Sequence, residues 1–258
     1  MPKKISNLPN QFYDINKFPS EEGMLVFPIS MSRIGNDSQS AKKYWEYIGH
    51  INPSKINKNS PNSKVGALFV YGDFLYFYSD EPSFVLKKRF MNLVVAHKNA
   101  FQRLLKGHPH LIHDAFSFKV WNQFYVENDK FLHYFESLKK IYKADKKFQR
   151  HLREDFDHLK NPKLTLNEMQ IDFFLEEHLM LYLISKGQMQ LQNKFIDGHE
   201  KWILVAYPGK PMKAHIYLHQ ENFFKLDNPK NTYQNSWYDL ADNKLYAFER
   251  MDLDTYQY

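Results

Sequence analysis

Unbroken apolar runs are the clearest hydrophobic pattern along this chain. In chain order they cover residues 25–29, 65–71 and 202–206, and residues 115–121, which include Ser117 and Lys119, predict a further strand. A short apolar run without polar alternation, bounded by turn-forming residues, is typical of a strand buried on both faces, as in parallel sheets. We therefore expect these segments to form the interior of one sheet.

Segments with a helical period separate these runs. They cover residues 40–48, 84–106, 127–160, with a break near Ala144-Asp145, and 166–186. Strands that alternate with helices are typical of an α/β fold with a parallel sheet. We expect a single parallel-sheet α/β domain over residues 23–258, preceded by an irregular arm over residues 1–22. Residues 212–219 and 244–251 predict peripheral strands. Residues 74–78 predict either a hairpin or a lid-like extension, of which we favour the extension.

The composition excludes several kinds of catalytic, metal-binding and membrane-spanning site. The 258 residues include no cysteine, which excludes a thiol nucleophile, disulfides and thiolate zinc sites and suits a reducing cytoplasm. No stretch approaches 18 uninterrupted apolar residues, and no signal peptide precedes the first strand, so we expect a cytoplasmic protein without a membrane span. The net charge of +6 is compatible with a polyanionic partner such as RNA, and equally with a basic surface that keeps the protein soluble.

Two hydroxyl side chains follow buried strands. Ser30 ends the run at 25–29, and Tyr207 ends the run at 202–206. Because the carboxyl ends of parallel strands meet at one edge of a sheet, where ligands bind in open α/β folds, both hydroxyls are candidates for chemistry. The alternative is that Ser30 is an ordinary turn or cap residue.

The helix at 166–186 carries a carboxylate on an apolar face. At helical spacing, Glu177 shares a stripe with Phe173 and Met180. A carboxylate in apolar surroundings needs a cation or hydrogen-bond donors. That cation is either a lysine or arginine of this chain or a group that arrives with a substrate.

The helix at 84–106 has a marked excess of positive charge. It carries Lys87, Lys88, Arg89, Lys98, Arg103 and Lys106, with no acidic residue between them. Such a helix presents either a solvated face or a face that follows nucleic-acid phosphates. The segment at 139–153 is a second, weaker candidate, because acidic residues dilute its charge.

Several catalytic motifs are absent. The chain has no G-x-G-x-x-G, no G-x-x-x-x-G-K-[ST] and no G-x-S-x-G, so nothing marks a nucleotide cofactor site or a serine hydrolase. His108, His110 and His113 are closely spaced, but neither H-E-x-x-H nor cysteine accompanies them. We therefore expect neither a cofactor nor a metal.

Three short motifs occur in a characteristic order: Pro28-Ile29-Ser30, FFLEEHLML at 173–181 and VAYPG at 205–209. Together with the basic helix at 84–106, this pattern resembles the tRNA-dependent cyclodipeptide synthases, in particular the subgroup marked by Tyr-Pro. The variable position of that subgroup falls on Arg33. Two residues depart from the family pattern, because Pro28 replaces a glycine and Phe173 replaces a tyrosine.

The resemblance implies a Rossmann-like fold similar to class I tyrosyl- and tryptophanyl-tRNA synthetase catalytic domains. It implies that two aminoacyl-tRNAs react in sequence, without ATP, to give a cyclic dipeptide by ping-pong catalysis. Ser30 would be the nucleophile, Glu177 would hold the ammonium group and Tyr207 would relay a proton. The basic residues of the helix at 84–106 would bind tRNA. Substrate-binding positions would be Val26, Pro28, Arg33, Phe173, Met180, Val205 and Pro208.

We expect such a protein to be a monomer. Two other classes remain open from the sequence. One is a non-catalytic RNA-binding α/β protein, which would use the basic helix but give Ser30, Glu177 and Tyr207 no shared task. The other is an RNA-modifying enzyme such as a methyltransferase, for which the turn after residues 25–29 is a poor cofactor loop.

Overall fold

A six-stranded sheet forms the centre of the protein. The computed structural model describes residues 22–30, 34, 38–50, 65–72, 84–107, 115–159, 166–191 and 200–258. The strands are β1 (Gly23–Ser30), β2 (Val65–Gly72), β3 (Phe116–Val120), β4 (Trp202–Tyr207), β5 (Ser236–Asp239) and β6 (Lys244–Ala247). Their order is β3-β2-β1-β4-β5-β6, and only the pairing of β5 with β6 is antiparallel. The predicted α/β fold with a parallel sheet is confirmed.

Helices cover both faces of this sheet. They are α1 (Ala41–His50), α2 (Phe84–Lys106), α3 (Trp121–Glu127), α4 (Phe131–Ala144), α5 (Lys146–His158), α6 (Glu168–Ser185) and α7 (Lys213–Glu221), followed by a 3-10 turn at Phe248–Arg250. The predicted break at Ala144-Asp145 is confirmed. The Asp145 side chain accepts hydrogen bonds from the backbone N–H groups of Lys147 and Phe148, so it ends α4 and begins α5.

The two faces of the sheet carry separate cores. We call them the α6 face and the α1 face. Val26 and Val205 lie on the α6 face, in a buried cluster that includes residues of α3 to α7. Leu25 and Phe27 lie on the α1 face, with buried residues of α1 and α2. Both faces of β1 are therefore covered, as its unbroken apolar run predicts.

Residues 212–219 were predicted to form a peripheral strand, and this prediction is wrong. The segment begins α7, because the Asp155 carboxylate accepts the Lys213 and Ala214 N–H groups, each at 2.8 Å. This cap comes from α5, far away in sequence, so the local pattern could not indicate it. The strand β5 was missed for a similar reason, since it has four residues and pairs with the distant β4. The strand predicted over 244–251 is confirmed for Lys244–Ala247, which form β6, whereas Phe248–Arg250 form the 3-10 turn.

Some predictions concern residues outside the described ranges. These are the arm at 1–21, the extension at 74–78, Arg33, and the histidines at 108, 110 and 113. Among the helices that the structure does describe, none is both long enough and apolar enough to cross a membrane.

Candidate active site

Ser30 and Tyr207 end two adjacent parallel strands. Hydrogen bonding pairs Val26 of β1 with Val205 of β4, so these side chains lie on the same face of the sheet. Because strand side chains alternate with a period of two, Ser30 and Tyr207 also lie on this α6 face. Both residues are half-buried, whereas the strand interiors are fully buried. The structure thus brings the two predicted hydroxyls to one edge of the sheet.

The strand order reverses between these two strands. From β1 the chain proceeds outward to β2 and β3, whereas β4 and β5 lie on the other side of β1. Pairing between β1 and β4 ends at Val26 and Val205, although β1 continues to Ser30 and β4 to Tyr207. In open α/β sheets, this reversal opens a crevice beyond the carboxyl ends of the strands, where ligands bind. Ser30 and Tyr207 end the two strands at this reversal, where this rule places a ligand.

Helix α6 packs on the same face as these two residues. Its Met180 is completely buried in the cluster that contains Val26 and Val205, and Phe173 is partly buried against that cluster. The predicted stripe from Phe173 through Glu177 to Met180 is therefore buried in this core at its end and partly buried at its start, with Glu177 half-buried between them. Val26, Val205 and Met180 are at most 1% exposed, so they belong to the closed core.

A second acidic residue of α6 was not predicted as part of a site. Glu176 is only 3% exposed and is more buried than Glu177. Burial raises the pKa of the Tyr125 hydroxyl, and the Glu176 carboxylate contributes to this shift, which places Glu176 towards α3. The sequence shows two adjacent acids on an apolar helix, and a helical period alone does not say which one faces α3.

The turn after Tyr207 is held by β5. The Gly209 N–H donates to Asp239 Oδ1 at 3.0 Å, and Trp237 Nε1 donates to the Gly209 carbonyl oxygen at 2.8 Å. The Leu240 N–H donates to the Tyr207 carbonyl oxygen at 2.9 Å. Gly209 has a φ of 145°, a conformation that favours glycine. These contacts fix the direction in which the chain leaves β4.

Asp239 is the central acceptor of this turn. Its side chain is 1% exposed, and Oδ1 also accepts the N–H groups of Ala241 and Asp242, at 2.9 and 3.3 Å. Burial raises the pKa of this carboxyl group, while the backbone donors oppose that shift. Sequence analysis missed both Asp239 and Trp237, because it did not identify β5.

The end of β1 is held by the first turns of α1 and the residues that precede them. The Ser30 N–H donates to Gln39 Oε1 at 2.7 Å, and the Tyr44 hydroxyl donates to the Pro28 carbonyl oxygen at 2.9 Å. Both Gln39 and Tyr44 are completely buried. The sequence predicted a helix over residues 40–48, shortly after Ser30. It could not predict that the Gln39 side chain contacts the Ser30 backbone, because a single contact leaves no periodic pattern.

The basic helix α2 lies on the α1 face and runs antiparallel to β2. His97 contacts Tyr71 near the end of β2, whereas Phe101 contacts Phe69, nearer its start. The first turns of α2 therefore project beyond the carboxyl edge of the sheet. The last turn lies at the other edge, about 27 Å from Lys88 along the helix axis.

The predicted tRNA-binding residues consequently fall into two groups. Lys87, Lys88 and Arg89 are exposed in the first turns, beyond the carboxyl edge of the sheet, and Arg103 and Lys106 are exposed at the distant end. Lys98 is half-buried between the groups, with its ammonium group 5.5 Å from the centre of the Phe118 ring.

Three buried histidines lie between α6 and α7. The ring centres of His178 and His215 are 5.6 Å apart, and those of His215 and His219 are 4.7 Å apart. Burial lowers the pKa of His178 and His219 to about 3, and the nearby Lys186 ammonium group also lowers that of His219. Burial lowers the pKa of His215 well below its usual value too. These rings are therefore neutral near pH 7.

The described part of the chain contains no group of three or more histidine, aspartate or glutamate side chains arranged to hold a metal ion.

Comparison with known proteins relates this chain to others through its fold. No family model and no curated protein matches it. The structure is similar to that of a cyclodipeptide synthase (CDPS) from Fluoribacter dumoffii, with a TM-score of 0.54 and 16% identity over 83% of this chain and 87% of that one.

Two further structures have lower scores. A cyclodipeptide synthetase of Mycobacterium tuberculosis has a TM-score of 0.48 at 11% identity, over 81% of this chain and 82% of that one. A CDPS from Staphylococcus haemolyticus has a TM-score of 0.46 at 12% identity, over 81% and 87%. The chain thus shares its fold with the Fluoribacter dumoffii protein at low sequence identity.

Proposed function

We propose that this protein is a cyclodipeptide synthase, which uses two aminoacyl-tRNAs to make a cyclic dipeptide through an acyl group carried on Ser30. The observation that carries the proposal is the position of Ser30 and Tyr207 at the strand-order reversal, on the face covered by the helix of Glu177. The fold shared with the Fluoribacter dumoffii CDPS supports the same conclusion. The Tyr207-Pro208 sequence supports a place in the Tyr-Pro subgroup.

The first step is a transesterification at Ser30. Its Oγ forms a bond to the carbonyl carbon of the aminoacyl ester, and the bond from that carbon to the ribose oxygen of the tRNA breaks. The electron pair of the broken bond remains on the ribose oxygen, which takes up the proton that Ser30 loses. The aminoacyl ester is already activated, so the reaction needs no ATP.

Glu177 binds the ammonium group of the acylated amino acid in this mechanism. Glu177 is half-buried and shares a helical stripe with Phe173 and Met180, so a positive charge that enters with the substrate would further stabilise its carboxylate. The same carboxylate then helps to remove a proton, so that the free amine attacks the second aminoacyl ester. The bond from that ester carbon to the ribose oxygen of the second tRNA breaks, and the ribose oxygen takes up the proton that the amine loses. The second tRNA leaves, and a dipeptidyl group remains on Ser30.

Tyr207 acts in the closing step. The terminal amine of the dipeptide attacks the seryl ester, the ester bond breaks, and the proton of the amine is relayed through the Tyr207 hydroxyl to Ser30 Oγ. The contacts that hold the turn at Gly209 support this role, because a proton relay must keep its position through the reaction.

The tRNA backbone is bound by the positive charges of α2. Lys87, Lys88 and Arg89 project beyond the carboxyl edge, so they are best placed to contact phosphates near the esterified end of the tRNA. Such contacts are independent of sequence, which suits an enzyme that accepts two aminoacyl-tRNAs.

Mass spectrometry of the culture medium tests the proposal. Bacteria that express the wild-type protein should release a cyclic dipeptide, and Ser30→Ala should abolish it. Ser32→Ala, which removes a neighbouring hydroxyl, is the matched control and should retain product. Absence of product from the wild type, or an undiminished amount from Ser30→Ala, would contradict the proposal. Binding of tRNA without any product would favour the non-catalytic alternative.

A further inference from the structure

Gln39 has an unusual environment beside Ser30. Its side chain is completely buried, and its Oε1 accepts the Ser30 N–H at 2.7 Å. Its Nε2 is also buried, yet has no hydrogen-bond acceptor among the residues that the structure describes. A buried amide donor without a partner is costly, and such groups are rare in folded proteins. The feature therefore calls for a physical reason.

The orientation of the Gln39 amide follows from its partner. The Ser30 backbone nitrogen carries a hydrogen and can only donate, so the oxygen of the Gln39 amide must face it. The nitrogen is then the end without an acceptor. Since the two ends of an amide are about 2.2 Å apart, Nε2 lies within about 5 Å of the Ser30 nitrogen. A donor is thereby held close to the residue proposed to carry the acyl group.

We propose that Gln39 is a catalytic residue, whose Nε2 donates a hydrogen bond to the oxygen of the acyl group that reacts at Ser30. This inference rests on the proposed function. When Ser30 Oγ bonds to the ester carbon, the electron pair of the carbonyl double bond moves onto the oxygen, which becomes negatively charged. Nε2 stabilises that charge until the bond to the ribose oxygen breaks and the carbonyl re-forms.

The fold holds Gln39 in place for this task. Ser40 follows it and accepts the Lys43 N–H at 3.2 Å, at the start of α1. Tyr44 in the first turns of α1 is bound to the Pro28 carbonyl oxygen. Because α1 is tied to the end of β1 at two points, the Gln39 amide needs little reorganisation when charge develops.

Two substitutions separate donation from positioning. Gln39→Glu keeps an oxygen for the Ser30 N–H but removes the donor, and Gln39→Met removes both. Gln123→Glu is the matched control, because the Gln123 side-chain oxygen also accepts a backbone N–H, from Val120. The measurement is single-turnover acylation by aminoacyl-tRNA, followed by intact-protein mass, with thermal unfolding recorded for each variant.

We expect both Gln39 variants to acylate about 100-fold more slowly than the wild type, the loss typical of one oxyanion donor, and Gln123→Glu to be unchanged. A wild-type rate for Gln39→Glu would overturn the inference, even if Gln39→Met is slow. The hydrogen bond from the Ser30 N–H to a side-chain oxygen would then be enough for acylation, without the Nε2 donor. Acylation of the wild type with unaffected Gln39 variants would overturn only this inference. No acylation of the wild type would overturn the proposed function as well.

A second measurement does not depend on whether the variants fold. In wild-type protein with ¹⁵N-labelled glutamine, the side-chain amide protons of Gln39 should shift downfield when the acyl group is on Ser30. Unchanged amide signals in the acylated protein would overturn the inference.

Discussion

Acid should destabilise this protein through its buried histidines. His178, His215 and His219 are neutral in the folded state because burial lowers their pKa values, to about 3 for His178 and His219. In the unfolded chain the same rings titrate near pH 6.5. As the pH falls below 6.5, the unfolded state therefore binds protons that the folded state cannot, and the free energy of unfolding falls.

The magnitude follows from the linkage between proton binding and stability. Between pH 7 and pH 5, each ring lowers the free energy of unfolding by about 2 kcal/mol, so the three rings together lower it by about 6 kcal/mol. Asp155 acts in the opposite direction, because burial raises its pKa to about 7 and it gains a proton in the folded state. It offsets about 2 kcal/mol. The loss from these four groups, about 4 kcal/mol, is large against the total of about 5–15 kcal/mol typical of a domain, and His97, whose pKa burial lowers to about 4, acts in the same direction.

Urea denaturation at pH 7, 6 and 5 measures this loss. His178→Gln should lower the number of protons taken up on unfolding by about one below pH 6, so that the free energy of unfolding depends less on pH. His133→Gln is the control, since His133 is exposed on α4 and should leave the dependence unchanged. A free energy of unfolding that stays constant or rises between pH 7 and pH 5 would refute the reasoning.

Three further predictions concern the candidate site. Glu177→Gln should remove the negative charge proposed to hold the ammonium group and lower cyclic dipeptide formation at least 10-fold, measured by mass spectrometry, with little change in thermal stability. Asp239→Ala should loosen the turn at Gly209 and lower product formation more than Asp239→Asn, which keeps the oxygen that accepts three N–H groups; equal rates would show that the turn does not depend on Asp239. Replacing Lys88 and Arg89 by glutamate should raise the KM for aminoacyl-tRNA more than Lys106→Glu, increasingly so at low salt. The opposite ranking would move the tRNA contact to the distant end of α2.

The positions of most strands of the sheet could be predicted from local patterns. Unbroken apolar runs identified β1, β2 and β4 because a strand covered on both faces has no polar side. The same runs indicated where the strands end, and hence that Ser30 and Tyr207 belong to one edge. Helical periods located α2 and α6, since an amphipathic or fully apolar helix shows its burial in its own residues.

The residues that hold the candidate site depended on tertiary structure. Asp155 begins α7, Asp239 fixes the turn after Tyr207, and Gln39 reaches Ser30, and each of these contacts joins segments separated along the chain. The division of the α2 charges into two groups likewise depends on how the helix lies against β2. The local sequence determined which faces of the helices and strands are buried, because a buried face places an apolar residue at every helical turn or strand pleat. A single polar contact between distant segments has no period, so only the folded chain determined its partners.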